Sequence, residues 1–247
     1  MCGDTGEWGL AGVIYLVRHG QTEWNADGDR FCGSSDIPLS NEGLRQAQQL
    51  GRVLSAVPLA AVYHSGMQRS RATAAAIVSE QWTTGKVAIG PDGTDQHTAN
   101  SIDEGGLVSA TGKAHAVLME DRDFREVDFG AWEGLTKKQV AVRDPLVFAA
   151  WESQPGTTAV PGAAPVMDAQ RRALVAVRRA ARRHGREHVA IVAHSTLNRL
   201  LLTGLLDAPI DSYRRIVQSN ACVNILDLHG DAVHIYGVNM RTLPIAF

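Results

Sequence analysis

The sequence has little cysteine, no long apolar run and no excess of either charge. Its three cysteines, Cys2, Cys32 and Cys222, form neither an even disulfide set nor a closely spaced metal pattern, which predicts a reducing compartment. The start, MCGDTGEWGLAG, has no basic segment leading into an apolar one, and no apolar run approaches the roughly 18 residues that a bilayer crossing needs. We therefore expect a cytoplasmic protein with no membrane partner.

The charge balance excludes a partner recognised by net charge alone. With 24 basic and 26 acidic residues the formal net charge is −2, which offers no general attraction for nucleic acid. An anion must therefore be bound by a local group of residues. Several histidines show no metal-ligand spacing such as H-E-x-x-H, and the sequence predicts no metal site; they are His97, His115, His184, His188, His229 and His234.

Short apolar runs alternate with helical patterns along the 247 residues, and residues 1–247 are expected to form a single domain. Strands alternating with helices favour an α/β sheet covered on both faces. The predicted strands are Val13–Val17, Leu59–Val62, Val189–Ala193, Cys222–Leu228 and Val233–Val238. The predicted helices are Asn41–Leu54 after an N-cap Ser40, Arg69–Glu80, Met167–His184 before a C′ Gly185, and Leu197–Leu206.

Two segments interrupt this alternation. Residues 83–112 are rich in Gly, Thr, Ser and Asp with almost no periodicity, which indicates a mobile insertion or a lid. Residues 154–165, QPGTTAVPGAAP, contain prolines and glycines that cannot continue a helix or a central strand.

Polar residues that can bind or react with a ligand follow the first predicted strand. Ligands of open α/β sheets collect at the carboxyl ends of strands, which is where Arg18 and His19 lie in VIYLVRHGQTEWN. Gly20 allows a sharp turn and a close approach of the backbone to a ligand. Thr22 and Asn25 add a hydroxyl and an amide that can hydrogen-bond an anionic oxygen.

Two further predicted strands end in the same way. VAIVAHST ends in His194, Ser195 and Thr196, and LAAVYHS leads to Arg69 at the start of the next helix. A guanidinium and nearby backbone N–H groups can bind an oxyanion there. Arginines, histidines and neutral donors around one anion-sized space predict a phosphate ligand.

Five motifs in order resemble the histidine phosphatase superfamily, with its phosphoglycerate-mutase-like fold. They are LVRHGQTEWN, CGSSDIPLSNEGLRQA, HSGMQRSRATA, FREVDFGAWEG and VAHSTLNR, and together they span most of the chain. The resemblance implies a three-layer α/β/α sandwich with a mostly parallel central sheet.

The resemblance also implies catalytic roles. His19 matches the nucleophile that becomes a phosphohistidine. Arg18, Arg69 and His194 match the residues that hold the phosphoryl oxygens, with Asn25 assisting. Glu126 in FREVDFG matches the acid that protonates the leaving oxygen, although Asp121, Asp123, Asp128 and Glu133 are other carboxylates nearby.

Elementary chemistry agrees with the role implied for His19. Two neighbouring guanidinium groups disfavour the protonated imidazole and keep its lone pair available. One ring nitrogen must face phosphorus, so we expect a backbone carbonyl to hold the other N–H. Because fixed arginines can stabilise the charge on the equatorial oxygens, no cofactor is expected.

Other polar residues have simpler readings. His64 stands where serine is usual before the arginine helix, and a packing role is favoured over a pocket role. A lone cysteine such as Cys32 is usually inert. Ser195 replaces the family's glycine and can donate to the phosphate or narrow the pocket. The arginines of residues 167–184 are expected on the solvated face of an amphipathic helix.

The leading hypothesis is a metal-independent phosphomonoesterase that acts on a small phosphorylated metabolite through a phosphohistidine. DFGAWEG is the phosphatase-like form of its segment, whereas Lys137 and Lys138 keep a phosphoglycerate-type mutase as an alternative. A non-catalytic module that binds a phosphorylated ligand is a third hypothesis. The sequence names neither the substrate nor the oligomeric state.

Overall fold

The computed structural model describes residues 12–83, 116–229 and 232–243. Of the expected insertion at residues 83–112, Thr83 is the last residue of a helix and the remainder lies outside the described residues. The lid and the single-domain assignment therefore stay predictions.

The described strands form one mixed sheet in the order β3-β2-β4-β1-β5-β6. The β2–β3, β2–β4 and β1–β4 pairs are parallel, and the β1–β5 and β5–β6 pairs are antiparallel, so most of the pairings are parallel as expected. The strands are β1 Val13–Arg18, β2 Leu59–His64, β3 Val117–Glu120, β4 His188–Ala193, β5 Val223–His229 and β6 Ala232–Met240.

Helices cover both faces of this sheet, which confirms the three-layer α/β/α sandwich. Ile14 and Leu16 of β1 pack against the last two helices, whereas Val13, Tyr15 and Val17 pack against the second and third. Burial on both faces explains why the central strands are apolar at successive positions. The helices are α1 Glu23–Ala26, α2 Asn41–Leu54, α3 Gln68–Thr83, α4 Lys137–Arg143, α5 Pro145–Ser153, α6 Val166–His184 and α7 Ser195–Leu205.

The strongest local signals in the sequence match the observed helix ends. The Ser40 hydroxyl accepts a hydrogen bond from the N–H of Gly43 at 3.1 Å, as an N-cap does. Gly185 ends α6 with φ +56°, and its N–H donates to the Ala181 carbonyl at 2.9 Å. No helix or strand lies between Ser153 and Val166, as the prolines and glycines predicted.

Several short elements were not predicted: α1, β3, α4 and α5, together with 3-10 turns at Arg122–Phe124, Gly130–Trp132 and Ile210–Arg215. Helix α4 and helix α5 build a small aromatic core apart from the sheet. Its members are Phe31, Phe129, Trp132, Val140, Phe148 and Trp151.

None of the helices in the described ranges combines the length and the apolar composition needed to cross a membrane.

Candidate active site

A cavity of about 380 Å³ opens where β1 and β4 end. These strands are parallel neighbours with Arg18 beside Ala193, so the residues that follow them meet at one edge of the sheet. Arg18, His19, Asn25, Glu126, Ser195 and Thr196, all predicted as site residues, line this cavity. The structure thus brings together side chains that are up to 178 positions apart, from Arg18 to Thr196.

His19 is buried, with 5% of its surface exposed. Its Nδ1 lies 2.6 Å from the carbonyl oxygen of Gly20, which can only accept a hydrogen bond. Nδ1 therefore carries the proton and Nε2 keeps the lone pair. The expected backbone restraint on the imidazole is confirmed.

The pKa of His19 lies well below its usual value of 6.5, as the sequence argument anticipated. Burial is the largest cause, followed by the positive charges of Arg69 and Arg18, while the hydrogen bond with Gly20 acts in the opposite direction. The sequence argument named only the guanidinium groups, because burial is decided by packing. His19 is neutral at physiological pH and can act as a nucleophile.

His194 caps the amino end of α7 and lies behind His19, with 5.1 Å between the ring centroids. Burial, followed by the charge of Arg69, lowers its pKa well below 6.5. Arg69 Nε donates to His194 Nδ1 at 3.3 Å, so Nε2 carries the proton and donates to the Ser65 hydroxyl at 2.8 Å. Both histidines are therefore neutral and have defined orientations.

Arg69 is completely buried and its guanidinium is held by the loop after α1. Nη1 donates to the Ser35 carbonyl at 2.7 Å and Nη2 to the Gly33 carbonyl at 2.9 Å. Glu133 holds the same loop, since it accepts from the N–H of Ser34 at 2.5 Å and of Ser35 at 2.7 Å. Arg69 and His194 thus stand behind the cavity wall, and their contact with phosphoryl oxygens stays a prediction.

Arg18 reaches the cavity from the last position of β1. Its Nη1 donates to the Gln218 carbonyl at 2.6 Å, and its buried Nε has no acceptor among the described residues. Burial is the main cause of a lowered pKa at Arg18. The guanidinium remains a cation with an unused donor beside His19.

Glu126 is bound by three backbone N–H groups. Oε1 accepts from Val127 and Leu197, each at 2.9 Å, and Oε2 accepts from Thr196 at 3.0 Å. The carboxylate therefore satisfies N–H groups that would otherwise be unpaired at the amino end of α7. Helix α7 thereby places Glu126 at the cavity.

The other carboxylates of this segment have different partners. Asp121 and Asp123 both accept from Arg179 Nη2, at 2.6 and 2.9 Å, and Asp128 accepts from the N–H of Gly130 at 2.8 Å. Of the five acidic residues considered for the proton transfer, Glu126 is the one that lines the cavity.

Arg172 of α6 is a functional candidate that the sequence analysis missed. The arginines of this helix were expected on its solvated face, yet Arg172 is half-buried. Its guanidinium donates to the carbonyls of Asp123, Arg125 and Glu126, at 2.5, 2.6 and 3.1 Å. It therefore holds the backbone that carries Glu126, and nothing in the spacing of the arginines distinguishes it from its neighbours.

Thr22 and Asn25 differ in their relation to the cavity. Thr22 is fully buried and caps α1, accepting from the N–H of Asn25 at 3.3 Å, so its side chain has a structural partner. Asn25 Oδ1 accepts from the N–H of Thr22 at 3.2 Å and from Asn220 Nδ2 at 3.3 Å. The Asn25 amide is thereby oriented, and its NH₂ is the group able to donate inside the cavity.

Gly20 is required for a different reason from the one that the sequence suggested. Its φ is not in the left-handed region, and a Cβ there would come within 2.5 Å of the Gly43 carbonyl oxygen. The close neighbour is the first turn of α2 rather than a ligand.

Two residues with open readings have structural explanations. His64 Nδ1 accepts from the N–H of Gly66 at 3.0 Å, and burial lowers its pKa, which agrees with packing. Cys32 lines the cavity, but burial raises the pKa of its thiol to about 11, so the thiol is protonated and unreactive.

Ser195 lines the cavity at the start of α7. Among the described residues, no group of three or more His, Cys, Asp or Glu could hold a metal ion.

Lys137, one of the two lysines that keep the mutase alternative open, also lines the cavity. Other lining residues were not singled out from the sequence, because they come from distant turns and helices. They are Asp29, Arg30, Phe31, Phe129, Trp151, Glu152, Arg199, Tyr213 and Arg214.

Known proteins resemble this chain in both sequence and structure. A 2-carboxy-D-arabinitol-1-phosphatase of Triticum aestivum is 30% identical over 87% of this chain. The match covers only 36% of the length of the wheat protein. A metal-independent phosphoserine phosphatase of Arabidopsis thaliana is 27% identical over 90% of this chain and 76% of its own. The structure of Bacillus stearothermophilus YhfR superposes with a TM-score of 0.73 at 28% identity, covering 94% of this chain and 98% of that one.

The family model of the histidine phosphatase superfamily (branch 1) matches residues 14–87 and 108–241. The match includes the strand ends that carry His19 and His194 and the segment that carries Glu126. The chain belongs to the histidine phosphatase superfamily, branch 1.

Proposed function

We propose that this protein is a metal-independent phosphomonoesterase that hydrolyses a small phosphorylated metabolite through a phosphohistidine at His19. The observation that carries the proposal is the state of His19: a neutral imidazole at the cavity with Nδ1 bound to the Gly20 carbonyl and Nε2 available. Phosphatases among the relatives support the same reaction class.

In the first step the Nε2 lone pair of His19 attacks phosphorus, and the bond between phosphorus and the leaving oxygen breaks. Arg18 stabilises the charge on the phosphoryl oxygens, assisted by the Asn25 amide. Arg69 and His194 support the nucleophile from behind, and Arg69 also helps to keep it neutral. Fixed cations supply the charge stabilisation that a metal ion gives in other phosphoryl-transfer enzymes.

Glu126 handles the proton in both steps. A leaving alkoxide needs a proton, which Glu126 delivers after accepting it from the monoanion of the phosphate ester as the substrate binds. Water then attacks the phosphohistidine, Glu126 accepts a proton from that water, and the bond between phosphorus and nitrogen breaks to release phosphate. The three N–H groups that bind Glu126 hold its carboxylate at the cavity for both steps.

The test is release of inorganic phosphate from an aryl phosphate with EDTA present. We expect the parent protein to turn over and His19→Ala to lose at least about a thousandfold in kcat, since removal of a nucleophile leaves only binding and electrostatic contributions. His234→Ala removes an exposed imidazole on β6 and is the matched control, with parental activity expected. Parental turnover by His19→Ala would contradict the proposal.

The same preparation distinguishes hydrolysis from the mutase reaction, in which the phosphoryl group is transferred to another oxygen of the substrate. In this assay 3-phosphoglycerate is incubated with a bisphosphoglycerate primer, and both phosphate release and isomerisation are measured. We expect hydrolysis without isomerisation. Isomerisation faster than phosphate release would favour the mutase alternative.

A further inference from the structure

The cavity contains cationic side chains that the reaction at phosphorus does not use. Arg199 extends from α7, and Arg214 from the turn Ile210–Arg215. Arg199 Nε and Arg214 Nη2 are buried, and neither has an acceptor among the described residues. A buried donor without a partner costs stability unless a ligand supplies the acceptor.

Arg30, which lines the same cavity, has hydrogen-bond acceptors within the protein. It binds Asp27 through Nε at 2.9 Å and Nη2 at 2.6 Å, and it donates to the Gly134 carbonyl at 3.0 Å. For Arg199 Nε and Arg214 Nη2 no such acceptor lies in the described part of the chain. Of the five buried side-chain atoms without a hydrogen-bond partner in the described residues, three belong to arginines that line the cavity: Arg18 Nε, Arg199 Nε and Arg214 Nη2.

The orientation of Arg214 is fixed by stacking. Its guanidinium carbon lies 3.3 Å from the centroid of the Trp151 ring, and Nη1 donates to the Glu152 carbonyl at 3.4 Å. Trp151 is itself packed edge-on against Phe31 and Trp132, with centroids 5.2 and 5.5 Å away. A guanidinium with a fixed plane is preorganised to bind an oxyanion through its edge.

Arg199 and Arg214 also share a neighbour. Burial raises the pKa of the Tyr213 phenol, whereas the charge of Arg214, a side-chain hydrogen bond with Arg214 and the weaker effect of the Arg199 charge lower it. Both cations therefore act on the same region beside Tyr213, which lines the cavity together with Glu126. The charge of Glu126 acts on the same phenol, so this region adjoins the residue proposed to protonate the leaving oxygen.

We propose that Arg199 and Arg214 form a second anion subsite, and that the leaving alcohol of the substrate carries a carboxylate or a second phosphate that binds there. The inference rests on the proposed phosphatase function and adds the chemical class of its substrate. A cavity of about 380 Å³ accommodates a small metabolite with both groups. Carboxylate and phosphate oxygens both match a guanidinium edge, so the experiment must separate them.

Three phosphate esters of one chain length test the subsite. They are 3-hydroxypropyl phosphate, 3-phosphooxypropanoate and propane-1,3-diyl bisphosphate, which end in a hydroxyl, a carboxylate and a phosphate. We expect the parent kcat/KM for at least one anionic ester to exceed that for the hydroxyl ester by about tenfold or more, as hydrogen bonds to charged groups allow. The preferred anionic ester identifies the group that the subsite binds.

Arg214→Gln is expected to bring the anionic-to-hydroxyl ratio of kcat/KM towards one, mainly through KM. Arg214→Lys keeps the charge without the planar edge and is expected to give an intermediate ratio. Arg199→Gln is a second, independent variant in case Arg214→Gln does not fold. Arg215→Gln alters an exposed arginine of the same turn and is expected to keep the parental ratio.

Two outcomes overturn the subsite while leaving the phosphatase intact. One is a parent enzyme that hydrolyses all three esters with equal kcat/KM. The other is a ratio that neither Arg214→Gln nor Arg199→Gln changes. Failure to release phosphate from these esters and from an aryl phosphate in a His19-dependent manner would instead remove the proposed function, and the subsite with it.

Discussion

Neutral histidines stand at the centre of this site because the fold buries them. His19 and His194 are paired edge to face, each has a hydrogen bond that defines its protonated nitrogen, and Arg69 contributes positive charge to both. Burial and nearby cations both disfavour the imidazolium form, so the two effects add. Other residues hold the backbone that positions the reacting groups.

Arg172 is such a positioning residue, and Arg172→Gln is expected to lower kcat by about tenfold because Glu126 loses its backbone support. The free energy of unfolding should fall by roughly 2 kcal/mol, since hydrogen bonds from a charged donor are lost. Steady-state kinetics and urea denaturation measure the two effects.

Arg171→Gln is the matched control, since Arg171 is exposed and its ion pair with Asp168 spans 3.7 Å. Both parameters should stay near their parental values in that variant. Partial recovery of kcat in Arg172→Lys supports positioning, whereas loss of stability with parental kcat in Arg172→Gln would reduce Arg172 to a structural role.

At the scale of elements, the site depends on the close contact between the turn after β1 and the start of α2. A Cβ on Gly43 would lie 1.9 Å from the Gln21 carbonyl oxygen, and a Cβ on Gly20 would lie 2.5 Å from that of Gly43. The Ser40 N–H donates to the Gln21 carbonyl at 2.9 Å and the Ser40 hydroxyl donates to Gln21 Oε1 at 3.0 Å, which joins the same two segments. The first turn of α2 therefore fixes the turn that carries His19.

Gly43→Ala tests this contact, because the change in stability expected here has the opposite sign to that of a usual glycine-to-alanine change in a helix. Alanine in place of glycine inside a helix normally stabilises by about 1 kcal/mol, but here overpacking is expected to destabilise by about 2 kcal/mol or more. Gln49→Ala, at an exposed position of α2, is the control. Thermal unfolding measures both variants, and a higher melting temperature for Gly43→Ala would refute the close contact.

At the scale of the whole molecule, burial of the histidine pair ties stability to pH. The pKa values of His19 and His194 are lowered in the folded state relative to 6.5, so below pH 6.5 the unfolded chain binds more protons than the folded one. Their contribution to stability is fully present above pH 6.5 and is lost as the pH falls below that value.

We expect the free energy of unfolding to fall by roughly 3 kcal/mol between pH 7.5 and 5.5 on account of these two histidines, as measured by urea denaturation. His19→Gln should reduce the fall by roughly 1 kcal/mol, because one of the histidines with a lowered pKa, which also include His64 and His188, no longer titrates. His234→Gln removes an exposed histidine and should leave the fall unchanged. A stability that stays constant over this range would contradict the burial of neutral imidazoles.

The sequence by itself determined the alternation of strands and helices, the caps at Ser40 and Gly185, and the residues that end β1 and β4. These features follow from local periodicity, from backbone preferences and from motifs that occupy consecutive positions. Short elements such as α4 and α5 escaped prediction because their stability comes from the aromatic core that they share with Phe31 and Phe129.

Only the tertiary structure decided which of the five carboxylates between residues 121 and 133 reaches the cavity, why Gly20 must be glycine, and that Arg172 supports Glu126. It also placed Arg199 and Arg214 in the cavity with unpaired donors. The physical reason is that burial and hydrogen-bond partners come from residues far apart in the chain. A pattern of neighbouring residues therefore contains no record of which side chains the fold brings together.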